Sequence, residues 1–226
     1  MIVTSSFFNK EIELSDTSPA VLIIENKFLF RDIVLSFEKD MSDDLLVFSE
    51  NYKPFEFVKK GLFISDPLSP SFDSKKLLGK INSALEEMAK DDAAPLFREV
   101  RESLLALAEK LSLLSELSIT YDGEISAATV IKLLGFRVDR YDMTLPEQLD
   151  AYLRLCASYL GIHLFVIPNL HLYFTAEEIA AVYESAALHH IALLILEGAD
   201  DASLIGVENR IIVDADLCLI DSGEKP

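Results

Sequence analysis

The sequence predicts an α/β protein: a head with a mostly parallel sheet, built from both ends of the chain, and a helical leg inserted between them. Three observations carry this expectation. Short, branched, apolar runs near the N-terminus and again after residue 160 have the composition of strands buried on both faces. Between them, residues 75–114 change to apolar positions three and four apart, the period of helices that bury one stripe. Helix-start signals then separate the later strands, giving the strand and helix alternation that parallel pairing requires. The expected boundaries are head 1–68, leg 69–135 and head 136–226.

The run Ala20 to Glu25 is the first buried strand, and Phe28 to Phe37 follows as a helix. Leu45 to Phe48 and Leu62 to Ile64 repeat the strand pattern, after which Asp66-Pro67 and Ser69-Pro70 break the chain. Leu78, Ile81, Leu85 and Met88 then share a helix face, with Asp73 or Ser74 placed to accept hydrogen bonds from its first amides. Asp91-Asp92 and Pro95 supply a stop, a cap and a restart before a second helix carrying Phe97, Val100, Leu104, Leu107, Leu111 and Leu114. So short a link folds the pair into an antiparallel hairpin. Its apolar seam either closes within one subunit or packs partly on another. A third helix from Ser126 to Leu134 ends at Gly135, the residue suited to a left-handed cap. Thr144 with Glu147 and Thr175 with Glu178 match the reciprocal capping box. Strands are expected at His163 to Ile167, Ile191 to Leu196, Ile211 to Val213 and Leu217 to Ile220.

With 226 residues, half of them apolar, the chain can bury a sizeable core. Met1 to Phe8 carry no basic stretch, and no apolar run approaches the roughly 20 residues that cross a bilayer, so a cytoplasmic protein without membrane partners is expected. Cys156 and Cys218 stand in apolar surroundings without metal or redox spacing, the pattern of buried thiols.

A strand at Ala20 to Glu25 invites a phosphate-binding loop, but Asn26 to Phe30 contain no glycine. Gly79-Lys80 lies inside a predicted helix and lacks the earlier glycine of such a loop. Lys27 either meets a phosphate as a point charge or is an ordinary solvated lysine. His163, His171, His189 and His190 do not have zinc-site spacing, and no acidic partner stands in sequence to make one. His189-His190 fall at a helix end, where imidazolium complements the dipole. No nucleophile elbow is present. The chain is therefore expected not to be an enzyme, the alternative being a nucleotide or nucleic-acid hydrolase assembled from remote residues.

The 20 basic and 38 acidic residues leave a formal charge of −18, which opposes nucleic-acid binding unless the lysines cluster or cations neutralise carboxylates. Residues 51–80 provide one cluster: Lys53, Lys59, Lys60, Lys75, Lys76 and Lys80 against Glu56, Asp66 and Asp73. This is either a solvated lysine face or a phosphate-tracking surface. No aromatic residues interleave with these lysines in a stacking pattern, which favours duplex over single-strand binding. Asp122 and Glu124 flank Gly123 before a helix, with Glu116 upstream. Hard oxygen ligands on a turn suit Ca²⁺, while acids at a helix start also serve as caps and dipole partners.

Taken together, Ile12 to Leu14, Ala20 to Glu25 and Leu62 to Asp66 resemble, in order and spacing, the small ring-forming accessory proteins of type II-A CRISPR adaptation, the Csn2 family. Leu117 to Asp122, Ile131 to Gly135, Leu164 to Ile167, Thr175 with Glu178, and Leu193 to Glu197 extend the resemblance over nearly the whole chain. The resemblance implies a head of degenerate P-loop, RecA-like fold with a helical leg. It implies a homotetrameric ring that binds Ca²⁺ and threads double-stranded DNA ends without sequence preference, assisting spacer acquisition in antiviral defence. By the same resemblance Asp122 and Glu124 are calcium ligands, Lys53, Lys59 and Lys60 contact DNA, and the integrase and effector nuclease are partners. Ala127, Ala128 and Thr129 stand where relatives can supply another carboxylate, so the number of metal sites stays open. An acidic protein-interaction scaffold without direct DNA binding is the other reading.

Overall fold

The structure is a computed structural model and describes residues 1–39, 45–200 and 206–221. In chain order the elements are β1 (Ile2–Ser5), β2 (Phe8–Glu13), β3 (Ala20–Ile24), α1 (Lys27–Glu38), β4 (Val47–Glu50), β5 (Lys53–Pro54), α2 (Phe57–Lys60) and β6 (Gly61–Phe63). Three helices follow: α3 (Lys75–Lys90), α4 (Ala94–Leu114) and α5 (Ala127–Leu134). The chain then runs through α6 (Leu145–Leu155), a π-helical turn (Cys156–Leu160), β7 (Leu164–Pro168), α7 (Leu170–Tyr173), α8 (Ala176–Leu188), β8 (Ala192–Glu197), β9 (Asn209–Val213) and β10 (Leu219–Asp221). Two compact units result, Met1–Ser71 with Arg140–Pro226, and Phe72–Asp139.

The first unit holds two sheets. The larger has the order β10-β9-β3-β8-β7-β6, with β3 paired in parallel to both β8 and β9, and β7 to both β8 and β6. Only β10 runs antiparallel, against β9. Every residue of β3 and of β7 is buried, as the unbroken apolar runs require of strands covered on both faces. From α1, Leu29, Ile33 and Phe37 join the core around β3.

The second sheet, order β2-β1-β4-β5, is antiparallel throughout. The expectation of Leu45 to Phe48 as a strand buried on both faces is corrected here. The strand is Val47–Glu50, with Phe48 buried and Val47 exposed, the alternation of a sheet with one wet face. Ile12 and Leu14 are buried and Glu11 and Glu13 exposed in the same alternation. The inner face closes on an aromatic cluster in which the Phe57 ring lies 4.9 Å from Phe37 and 5.1 Å from Phe48, centroid to centroid.

Local signals act where the sequence places them. Ser74 Oγ caps α3 by accepting from Leu77 N at 3.4 Å, and Pro95 opens α4. Gly135 closes α5 at φ 63°, and both capping boxes form. In the second unit α3 packs on both α4 and α5, yet α4 buries no residue fully, and Leu107, Leu111 and Leu114 remain 55%, 56% and 68% exposed. Cys156 is buried as expected, whereas Cys218 is exposed just before β10, and neither forms a disulfide. Cys218 N donates to Asp214 Oδ1 at 2.7 Å, so a polar turn rather than a core holds that residue. Among the described residues no helix is long and apolar enough to cross a membrane.

Candidate nucleic-acid interface

Lys53, Lys59 and Lys60 fall on one short, structured segment. Glu50 pairs with Lys53, and Ser49 with Pro54, so β4 and β5 form a hairpin whose turn is Asn51 and Tyr52. Both turn residues have positive φ, 50° and 61°, the left-handed pair that a two-residue hairpin demands. Tyr52 at its tip is fully exposed. The chain then leaves β5 through Phe55, whose N donates to Phe48 O at 2.9 Å, and enters α2, anchored by the buried Phe57.

The three lysines are exposed but not equivalent. Lys59 is ion-paired with Glu56, and this hydrogen bond, with the attraction of the lysine charge, holds the Glu56 carboxyl below its ordinary value. The Lys60 ammonium lies 5.8 Å from the centroid of the Phe55 ring. Lys53 stands across the ladder from Glu50. Lys27 lies on a separate element, exposed in the first turn of α1 at the end of β3. There Asn26 Oδ1 accepts from Phe28 N and Leu29 N, both at 3.1 Å, and Asn26 Nδ2 donates to Ala215 O at 2.9 Å. Two of the amides that would face a phosphate in a nucleotide site are thus spent on the helix's own cap.

Asp122 and Glu124 belong to the second unit, in the exposed segment before α5. Glu124 N donates to Asp122 Oδ1 at 2.9 Å, a turn closed by its own side chain. The cap of α5 is Ser126, whose Oγ accepts from Thr129 N at 3.1 Å, so neither acid is needed as a cap. Their carboxylates are hard oxygen donors of the kind Ca²⁺ takes, but two carboxylates fill only part of its shell of six to eight oxygens. Among the described residues no three His, Cys, Asp or Glu side chains come together to hold a metal ion.

Sequence spacing misses a buried polar network in the first unit. His171, which no zinc-site spacing in the sequence links to an acid, has two acidic partners. Its Nδ1 lies 2.8 Å from Glu197 Oε1 and its Nε2 2.7 Å from Glu208 Oε1, while its backbone N donates to Glu197 Oε1 at 3.0 Å. Tyr183 OH donates to Glu208 Oε1 at 2.9 Å, and Arg210 pairs with Glu208 at 3.0 Å and Asp200 at 3.2 Å. Burial acts to lower the His171 pKa, but the hydrogen bonds and charges of the two glutamates outweigh it and raise the value to about 9. Burial, then the adjacent Glu208, pushes the Tyr183 hydroxyl far above its usual range. The partners lie 26 and 37 residues from His171 in sequence, so no local spacing reveals them. At the end of α8, His189 Nδ1 lies 2.8 Å from Ser185 O, and His190 Nδ1 lies 2.8 Å from Asp16 Oδ2.

The family profile described as CRISPR-associated protein (Cas_Csn2) matches residues 38–217. CRISPR-associated protein Csn2 of Streptococcus agalactiae is 24% identical over 186 residues, covering 80% of this chain and 82% of that protein. Among solved structures, the crystal structure of Stu0660 of Streptococcus thermophilus is similar with a TM-score of 0.54 and 13% identity, covering 95% of this chain and 74% of that one. At that identity the likeness is one of fold.

Proposed function

From the premise that this chain belongs to the Cas_Csn2 family of CRISPR-associated proteins, and so has a role in CRISPR adaptation, we propose that it is a non-catalytic protein that grips duplex DNA ends without reading sequence. The observation that carries the reading is the exposed lysine group at 53–60, in a chain whose formal charge is −18. Lysines that meet only phosphates position DNA and carry no sequence information. Because phosphate affinity follows local potential, a positive segment on a hairpin and helix can bind DNA despite the overall charge.

The non-catalytic part rests on the β3–α1 junction. A phosphate cradle needs free amides, and two of the first amides of α1, Phe28 N and Leu29 N, are taken by Asn26. The parallel order around β3 fits a nucleotide-hydrolase-like head that has lost its phosphate loop. The ring and the homotetramer are supported by the uncovered Leu107, Leu111 and Leu114 on α4, an apolar row that a second copy would bury. Ca²⁺ held by Asp122 and Glu124 would offset part of the negative self-repulsion of such an assembly. The integrase and effector nuclease of the CRISPR machinery are the partners to which the held ends would be presented, in the cytoplasm.

The test is a gel-shift titration of linear duplex and closed circular DNA with the parent protein and a Lys53→Ala/Lys60→Ala variant, each with calcium and with chelator, at two salt concentrations. Linear DNA is expected to shift, more strongly at low salt and with calcium, and the double variant to bind about tenfold more weakly, with a shallower salt slope. Equal affinity with chelator removes calcium from the reading. No shift under any condition removes DNA binding and leaves the acidic scaffold, a reading favoured by the excess of 38 acids over 20 bases.

A further inference from the structure

Tyr52 combines two features that bring nothing to the fold. Its ring is fully exposed, so it adds no buried apolar area. Its backbone sits at φ 61°, a conformation uncommon for any non-glycine residue and disfavoured for a bulky one, in a turn position where glycine is the strain-free choice. Asn51 at φ 50° shares the turn, but asparagine tolerates that region. The tyrosine is thus held out from the sheet, at the end of a hairpin pinned by the Glu50–Lys53 pairing and by the Phe55 N to Phe48 O bond.

The surroundings set the direction of approach. Tyr52 and Asn51 rim a cleft of about 500 Å³ on the outer face of the antiparallel sheet, lined further by Glu11 and Glu13. Those carboxylates repel a phosphate backbone laid along the sheet. The neighbour of Tyr52 along the chain is Lys53, exposed and positive. A duplex can therefore meet this hairpin end-on, at an uncharged ring followed in the chain by an exposed lysine. At a duplex end, and only there, an unbroken helix exposes the flat face of a base pair. Aromatic side chains stack on exposed base faces without regard to sequence.

We propose that Tyr52 is a stacking platform for the terminal base pair of a bound duplex, with Lys53 meeting the phosphate nearest the end. This deepens, and rests on, the DNA-binding reading above. It also supplies an aromatic contact that the lysine spacing does not flag.

The chain contains no tryptophan, so Tyr52→Trp places a single tryptophan at the tip, excited selectively at the red edge of its absorption. The experiment measures its emission, with full-length protein, against blunt linear duplex and closed circular DNA. It is paired with the affinity of Tyr52→Gly for both DNAs and the melting temperature of that variant. Stacking predicts quenching by linear duplex and none by circular DNA. Tyr52→Gly is expected to bind blunt duplex about tenfold more weakly while melting no lower than the parent, because glycine takes the left-handed turn without strain. A purely structural role would move stability and affinity down together. Equal affinity of parent and Tyr52→Gly for linear duplex overturns the platform while leaving DNA binding intact, and an equal loss on circular DNA overturns it in favour of a side-on contact. Failure of the parent protein to bind linear duplex at all removes both readings at once.

Discussion

At His171 the buried charges belong to four side chains, with the more exposed Asp200 pairing Arg210 from the rim. With His171 protonated, it and Arg210 match Glu197 and Glu208, and with His171 neutral an uncompensated negative charge stays in the core. The folded value, about 9, lies above the ordinary 6.5, so the stabilisation is fully present below pH 6.5 and is lost as pH rises through 9. The difference corresponds to about 3 kcal/mol. Thermal melting from pH 7 to pH 10 should show the parent losing stability over this window, and a His171→Gln variant should begin lower and lack that part of the fall. A Glu208→Gln change, which leaves the imidazolium and guanidinium short of one charge, is expected to cost about 3 kcal/mol or more in chemical denaturation. Sequence could not show this site. Glu197 ends a strand, Glu208 precedes another and His171 lies on a short helix, so only the packing of the sheet brings them together.

Among the elements, α2 shows how a four-residue helix is fixed by the glycine that follows it. A methyl group on Gly61 would lie 2.4 Å from two ring atoms of Phe57, which is itself wedged against Phe37 and Phe48. Gly61→Ala should therefore cost about 1–3 kcal/mol by overpacking. The same change should weaken the proposed DNA binding, because α2 carries Lys59 and Lys60. Gly135 is the contrasting case: a Cβ there meets open space, and only the positive φ resists it. Gly135→Ala is expected to cost about 1 kcal/mol, read from the denaturation midpoint. Of these glycines, Gly135 was legible in sequence because a helix cap is a local device. Gly61 was not, since the ring it must avoid is held in place by residues from other strands and helices.

For the molecule as a whole, the dominant features are the formal charge of −18 and the apolar row that α4 leaves uncovered. In the proposed ring a second copy would cover this row. Replacing Leu107 and Leu111 together by glutamate should lower the sedimenting mass to that of a single chain, with helix content unchanged by circular dichroism. Persistence of the larger species would assign the interface elsewhere. The charge makes a second prediction at this scale: raising salt should strengthen self-association by screening repulsion while weakening DNA binding by counterion competition, opposite trends that one titration series can record.

By itself the sequence determined the α/β class, the buried strands from Ala20 and Leu164, the helical pair, a cap at Asp73 or Ser74, the caps at Gly135, Thr144 and Thr175, and the concentration of lysines after residue 51. Each of these is encoded in residues adjacent in the chain or one helical turn apart, where propensity and capping chemistry act directly. Tertiary structure alone decided the antiparallel sheet, the exposure of Cys218, the left-handed turn that presents Tyr52, and the His171 network. These depend on strand partners and burial between residues distant in sequence, because pairing, charge compensation and the strain a turn will bear are set by neighbours that only folding supplies.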